Sequence, residues 1–260
     1  MNAELADRLV VVTGGASGIG AAAARLCAAR GAVVVVADVD DENGTRMAQE
    51  TGGHYMRLDV GSAEATTEAA DLIEGQIGTA DVLITSAGIT QPPLPPEQLS
   101  QELWDRVVHV DLRGTWLAAA EFGGRMATRG RGSIVTVASV AGMRSMPLHA
   151  YAPAKAAVIG LTADLATEWG RSGVRVNCVS PGYTLTPLLR DVIDRGERDP
   201  ANLAGASALG RLVDPEEVAQ AICFLASDQA SAITGVNLPV DAGWLVAPSW
   251  DTYRGVPDKR

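Results

Sequence analysis

Residues 8–20 read RLVVVTGGASGIG, and this stretch decides the fold. Arg8–Thr13 is an apolar, β-branched run with no polar alternation, the signature of a strand covered on both faces. A glycine cluster follows at once, and then Ile19–Arg30, an Ala-rich helical stretch that Gly31 closes. Where a strand passes into a helix through glycines, the backbone can approach an anion closely. The helix start adds unpaired N–H groups and the positive end of its dipole. The turn Thr13-Gly14-Gly15-Ala16-Ser17-Gly18-Ile19-Gly20 is therefore a candidate pyrophosphate cradle, the alternative being a tight turn that holds nothing.

Outward from this turn, strand and helix patterns alternate. Ala32–Asp38 predicts a second buried strand, and Asp41–Thr51 a helix stopped by Gly52-Gly53. Tyr55–Asp59 is a third strand, and Ser62 an N-cap for a helix reaching about Ile77. Asp81–Thr85 is a fourth strand, and the loop Gln91–Pro96 carries four prolines. Ser100 to about Thr128 predicts one long helix, Ser133–Ala138 a fifth strand, Tyr151–Arg171 a long, little-charged helix, and Gly173–Val179 a sixth strand. Pro215–Ala226 has proline at a helix start, and Asn237–Val240 is a last strand. Buried strands between helices predict an α/β, single-domain, Rossmann-type doubly wound parallel sheet of about seven strands with helices on both faces. The domain runs over residues 1–260, with a cofactor-binding half at about 6–140, a catalytic and substrate half at about 139–245, and a tail at 244–260.

Composition narrows the partners. The chain has 260 residues, with 21 basic against 31 acidic side chains and a net charge of −10, which disfavours nucleic acid and anionic membrane. Its N-terminus lacks a basic region followed by a long apolar run, and no stretch is apolar enough to span a bilayer. A cytoplasmic protein is expected. Cys27, Cys178 and Cys223 lie in apolar surroundings at no metal spacing, and His54, His109 and His149 are scattered. No metal site is expected.

Three further positions carry chemistry. Asp38 ends the second strand, 18 residues after Gly20. A carboxylate there accepts both ribose hydroxyls of an adenosine and repels a 2′-phosphate. No Arg or Lys stands at Gly15–Ser17 or Val39–Asp41 to hold that phosphate, so NAD is favoured over NADP. Tyr151 and Lys155 are four apart on one helix face, where an ammonium beside the phenol lowers its pKa toward working pH. Bare YxxxK spacing is common by chance, but Ser139 stands twelve residues upstream at a strand's C-terminal end, where its hydroxyl could join them.

From about residue 6 to 245 these motifs together resemble the short-chain dehydrogenase/reductase family. TGGASGIG resembles its TGxxxGxG, Asp59-Val60 its adenine-contacting pair, and Ser86-Ala87-Gly88 its NAG. Ser139, Tyr151 and Lys155 fall on its catalytic positions, and NCVSPGYTLT (177–186) resembles its nicotinamide-holding segment. GRLVDPEEVAQAICFLASDQASAITG (210–235) resembles its C-terminal stretch.

The resemblance implies proton transfer by Tyr151. It implies that Lys155 binds the nicotinamide ribose and that Ser139 orients the substrate oxygen. Backbone of Pro181, Gly182 and Thr184, with the Thr186 hydroxyl, would fix the carboxamide; Val39 would border the adenosine beside Asp38. Three departures stand out. Ser86 replaces an Asn, Asp111 replaces the family's catalytic Asn, and the Ser139–Tyr151 spacing is one residue shorter than is usual. Asp111 keeps the shape and the acceptor, loses the amide donor, and gains a charge that could pair with Lys155.

The function expected is NAD(H)-dependent interconversion of a secondary alcohol, such as a polyol or sugar alcohol, and its ketone. A 3-oxoacyl thioester ketoreductase is the alternative, and a non-catalytic NAD-binding sensor the alternative of another class. Leu185–Leu209, rich in turns and mixed charge, falls where the family has a mobile lid. The tail carries Trp244, Trp250 and Tyr253, packed either on its own subunit or on a neighbour. The resemblance implies a homotetramer, or a homodimer, joined through the two long helices and the last strand.

Overall fold

The computed structural model describes residues 4–257. The ends of the expected domain, residues 1–3 and 258–260, the last of these in the tail, lie outside the described residues. The chain builds β1 (Leu9–Thr13), α1 (Gly18–Ala29), β2 (Val33–Asp38), α2 (Asp41–Thr51) and β3 (His54–Arg57). It continues through α3 (Ala63–Gln76), β4 (Val82–Thr85), α4 (Gln101–Val108), a π-helical segment (His109–Gly114) and α5 (Thr115–Arg129). Then come β5 (Gly132–Val137), α6 (Tyr151–Trp169), β6 (Val174–Pro181), α7 (Pro187–Asp194), α8 (Pro200–Gly205), α9 (Pro215–Ala226) and β7 (Asn237–Val240).

The seven strands pair in the order β3-β2-β1-β4-β5-β6-β7, all parallel. Strand side chains alternate between two apolar layers. Val10, Val12, Val34, Val36 and Ile84 pack with α1, α2 and α9, while Val11, Val35, Leu83 and Ile134 pack with α3, α5 and α6. The twofold period of a strand is present, but both faces are dry, so the sequence shows a continuous apolar run. Each buried Val or Leu contributes roughly 1.5–3 kcal/mol, and Val10, Val11 and Val12 are wholly buried.

Small residues set the closest helix packing. Ala21–Ala24 let α1 lie against α9, and there Cys27 Sγ comes within 3.4 Å of Cys223 Sγ. All three cysteines are buried and free, and the Cys27 thiol is pushed well up by its bond to Cys223 and by burial.

Beyond shifts of one or two residues at element ends, such as β3 at His54–Arg57 rather than Tyr55–Asp59, the structure differs from the sequence reading in two places. The expected single helix over Ser100–Thr128 is a continuous rod, but its middle, His109–Gly114, is π-helical. Thr115 Oγ1 donates to the Asp111 carbonyl (2.8 Å), and the Asp111 carboxylate is turned inward to partners described below. The wider turn accommodates that inward placement. The turn-rich stretch 185–209 contains two helices, α7 and α8, each opened by an N-cap and proline at the first helical position: Thr186-Pro187 and Asp199-Pro200.

The chain leaves β1 for β2 and β3 on one side, then crosses back to β4 on the other. That switch point opens a crevice beyond the carboxyl ends of β1 and β4. No described helix is long and apolar enough to cross a membrane.

Candidate active site

At the switch point β1 turns at Gly14, whose φ is +67°. A Cβ there would stand 2.5 Å from the Ala87 amide nitrogen, so glycine lets this turn nest against Ser86–Gly88. The Ser86 amide donates to the Thr13 carbonyl (3.0 Å), which locks the two loops together. Ser17 is extended and its hydroxyl caps no amide of α1. The first-turn N–H groups of α1 therefore lack the side-chain acceptor that α2 and α3 receive from Asp40 and Ser62.

Asp38, at the end of β2, faces this turn. Its Oδ2 accepts from the Ala16 amide (3.0 Å) and its Oδ1 from the Asp40 amide (3.1 Å). Val39 beside it is exposed. Asp59 Oδ1 accepts from the Gly61 amide (2.9 Å), while Val60 is buried under Gly114.

The second cluster gathers around Lys155. Its Nζ is buried, 3.1 Å from Asp111 Oδ2, and donates to the Val137 carbonyl at 3.1 Å. It lies 5.5 Å from the centre of the Tyr151 ring. Asp111 is fully buried, and its Oδ1 accepts from the Ile89 amide (2.9 Å). Gly88 covers the ion pair: a Cβ there would be 3.1 Å from Asp111 Oδ2 and 3.4 Å from Lys155 Nζ. Burial works against the lysine charge, but the Asp111 carboxylate, with Tyr151 second, outweighs it and raises the Lys155 pKa.

Ser139 follows β5 and accepts from the Ala141 amide (3.1 Å). The turn it opens presses on α6, where a Cβ at Gly142 would stand 2.7 Å from the Ala156 amide nitrogen. The segment after β6 runs toward the glycine turn. Gly182 donates to the Val240 carbonyl (3.0 Å), and Thr184 Oγ1 to the Gly182 carbonyl (3.0 Å). Thr186 caps α7, and its methyl group is 3.3 Å from where a Gly18 Cβ would be. Thr186, at the end of the 181–186 segment, thus lies against the glycine turn at Gly18, as Lys155 and Asp111 lie against Gly88.

One feature escaped the sequence reading. Gln91 is buried at the head of the proline loop, and its Oε1 accepts from the amides of Ala150 (2.7 Å) and Tyr151 (3.0 Å). It caps α6 from 60 residues away, and nothing local in the sequence signals that. The tail was expected to pack either on its own subunit or on a neighbour. Trp244 packs edge-on against Tyr183 (5.9 Å between centres), with the Arg144 guanidinium 5.7 Å from its ring centre, and Arg144 Nη1 donates to the Leu245 carbonyl (3.0 Å). The start of the tail therefore packs on loops of its own chain.

These residues fit a dinucleotide. The α1 start offers amides without a side-chain cap, Asp38 offers a carboxylate at the far end, and Lys155 offers an ammonium at the near end. Among the described residues no group of His, Cys, Asp or Glu could hold a metal ion.

A family model described as enoyl-(acyl carrier protein) reductase matches residues 14–245. The chain is 41% identical over 249 residues to a cis-4-hydroxycyclohexanecarboxylate dehydrogenase of Sinomonas cyclohexanicum, covering 94% of this chain and 99% of the relative. It is 38% identical to a D-threitol dehydrogenase of Mycolicibacterium smegmatis, covering 94% and 95%. A solved structure from Brucella melitensis 16M, named ribose-5-phosphate isomerase, superposes with a TM-score of 0.95 at 55% identity, covering 96% of this chain and 97% of that one.

Proposed function

The chain belongs to the short-chain dehydrogenase/reductase family, whose enzymes use an NAD(P) cofactor, and from that premise we propose an NAD(H)-dependent dehydrogenase that interconverts a small secondary alcohol and its ketone. The observation that carries this reading is the buried Lys155 ammonium, held between Asp111 and the Val137 carbonyl beneath the Tyr151 ring.

Tyr151 Oη takes the alcohol proton on oxidation and returns it on reduction. Ser139 Oγ already accepts the Ala141 amide, which leaves its own hydrogen free to donate to the substrate oxygen. Lys155 has three N–H bonds; one is given to Val137, one faces Asp111, and the third is left for a ribose hydroxyl. When bound, the dinucleotide supplies the hydride acceptor. Gly14 and Ser17–Gly20 hold its pyrophosphate, Asp38 its adenosine ribose, Asp59-Val60 and Ser86–Gly88 border it, and 181–186 seat its nicotinamide end. Asp38 favours NAD over NADP by charge. The substrate class is a polyol or cyclic alcohol, supported by the threitol and hydroxycyclohexanecarboxylate dehydrogenases among the relatives.

The test is the appearance of NADH absorbance with NAD⁺ and a panel containing threitol, 4-hydroxycyclohexanecarboxylate and a 3-hydroxyacyl thioester. Ribose 5-phosphate, with ribulose 5-phosphate read directly, is the control for the Brucella name. Reduction of NAD⁺ by a polyol or cyclic alcohol, lost in Tyr151→Phe, supports the proposal. Turnover of the thioester alone with NADP⁺ moves it to the ketoreductase alternative. Isomerisation without net NADH formation overturns it.

A further inference from the structure

This inference rests on the dinucleotide reading and concerns how the adenosine end is discriminated. The register of β2 on β3 places Asp38 opposite Arg57. A cation therefore does reach the end of β2, one residue beyond the carboxylate that excludes a 2′-phosphate, although no basic residue stands at Val39–Asp41. Arg57 is engaged elsewhere through its Nη1. Its Nη1 donates to the Val39 carbonyl (2.9 Å) and to Asp41 Oδ2 (2.6 Å). The other Asp41 oxygen accepts from the Tyr55 hydroxyl (2.7 Å), which also lies 2.9 Å from the Asp38 carbonyl. Arg57 and Tyr55 together hold the Asp41 carboxyl below the usual carboxylate range, so the bridge stays charged. Both ion-pair side chains remain 64% exposed, open to a competing anion in solution.

We propose that Asp41 is a second specificity-determining residue, which withdraws Arg57 from the place a 2′-phosphate would occupy. Asp38 excludes that phosphate by repulsion. Asp41 excludes it by occupying the guanidinium that would otherwise clamp it, and a guanidinium is well shaped for a phosphate. Asp40 takes no part, since it is the N-cap of α2, held by Asn43.

The probes are adenosine 2′,5′-bisphosphate and 5′-AMP, titrated calorimetrically into Asp38→Ser, Asp38→Ser with Asp41→Asn, and that double variant with Arg57→Gln. Freeing Arg57 should tighten bisphosphate binding by about tenfold or more, while 5′-AMP changes by less than about twofold. Arg57→Gln should return the bisphosphate affinity to that of Asp38→Ser alone. No gain on Asp41→Asn overturns the inference, as does a gain that survives Arg57→Gln, which would reflect lost negative charge only. NADH fluorescence with the unaltered protein separates the two levels. If it binds NADH and the Asp41 gain is absent, this inference alone falls; if it binds neither NADH nor 5′-AMP, the dinucleotide reading falls with it.

Discussion

Asp81 and Asp111 are built alike and sit at opposite ends of the sheet. In each, one carboxylate oxygen accepts a backbone amide: Leu9 for Asp81 (2.9 Å) and Ile89 for Asp111 (2.9 Å). In each, the other oxygen meets cations. Asp81 Oδ1 lies 3.2 Å from Arg129, 3.5 Å from Arg131 and 3.9 Å from Arg8, and Asp111 Oδ2 lies 3.1 Å from Lys155. The arginines reach Asp81 from solvent, with apolar stems packed and heads partly wet. Lys155 is sealed in. A buried carboxylate with a cation is therefore no mark of a site by itself. Asp81 clasps the amino ends of β1 and β4, where a parallel sheet presents no crevice. Asp111 stands at the carboxyl ends, beside a phenol and the switch point.

The comparison breaks first at Tyr151. Tyr151→Phe removes a hydroxyl at the open end and leaves the ring that faces Lys155. Turnover should fall by about 10²–10⁴-fold, with the thermal midpoint unchanged. A melting shift of comparable weight would mean that the open end is as structural as the closed one. At the closed end Asp81→Ala should do the reverse. It strands the Leu9 amide and takes a carboxylate from three guanidiniums, of which Arg8 keeps Asp228, Arg129 keeps the Thr79 and Ala80 carbonyls, and the exposed Arg131 head recovers water. We expect a loss of about 2 kcal/mol, read from the denaturant midpoint. Turnover per folded molecule should hold; a fall in turnover would join the two ends.

How far each end could be read from sequence follows the same divide. The strand–turn–helix at 8–30, the sheet class and the Tyr151–Lys155 pair were legible because each is a local pattern, in which chain neighbours are also spatial neighbours. The pairing of Asp111 with Lys155 was visible only as an option, since it spans 44 residues and depends on a π-helical turn that composition does not announce. Arg57 was missed because only the β2–β3 register brings it to Asp38. The helices α7 and α8 were missed for another reason: their Thr-Pro and Asp-Pro starts were present in the sequence but outweighed by glycine and mixed charge.

Asp111→Asn removes the charge and puts an amide donor in place of the oxygen that faces Lys155, while the amide oxygen can still accept from Ile89. With Asp111 present, the Lys155 pKa is raised in the folded protein. The ammonium's contribution is then whole below the ordinary lysine value and is lost only as pH climbs through the raised one. Without the carboxylate, burial dominates and pulls that value down. The alkaline fall of kcat/KM should therefore begin at lower pH in the variant, while the two profiles converge near neutrality. Profiles that superimpose from about pH 6 to about pH 10 would show that the Asp111 charge does not govern Lys155.

The smallest expected effect is at Gln91, which sits at the open end but does work of the closed-end kind. Its Oε1 takes the two amides at the start of α6, whose own N-cap position, Ala150, has no side chain able to accept them. Gln91→Ala leaves one buried and one partly buried donor without a partner, at a cost of about 1 kcal/mol, as for the loss of an N-cap. The same amides fix the first turn of the helix on which Tyr151 stands. Stability and kcat should therefore fall together, kcat by about tenfold or less, with little change in KM. Gln91→Glu keeps an acceptor in the same place and should restore both. If Gln91→Ala lowers stability while kcat holds, α6 keeps Tyr151 in place without this cap, and Gln91 belongs with Asp81 as a clasp. If Gln91→Glu restores stability but not kcat, the added charge acts on the Asp111–Lys155 pair instead. In that case the two aspartates differ less by position than by how few other charges stand near Lys155.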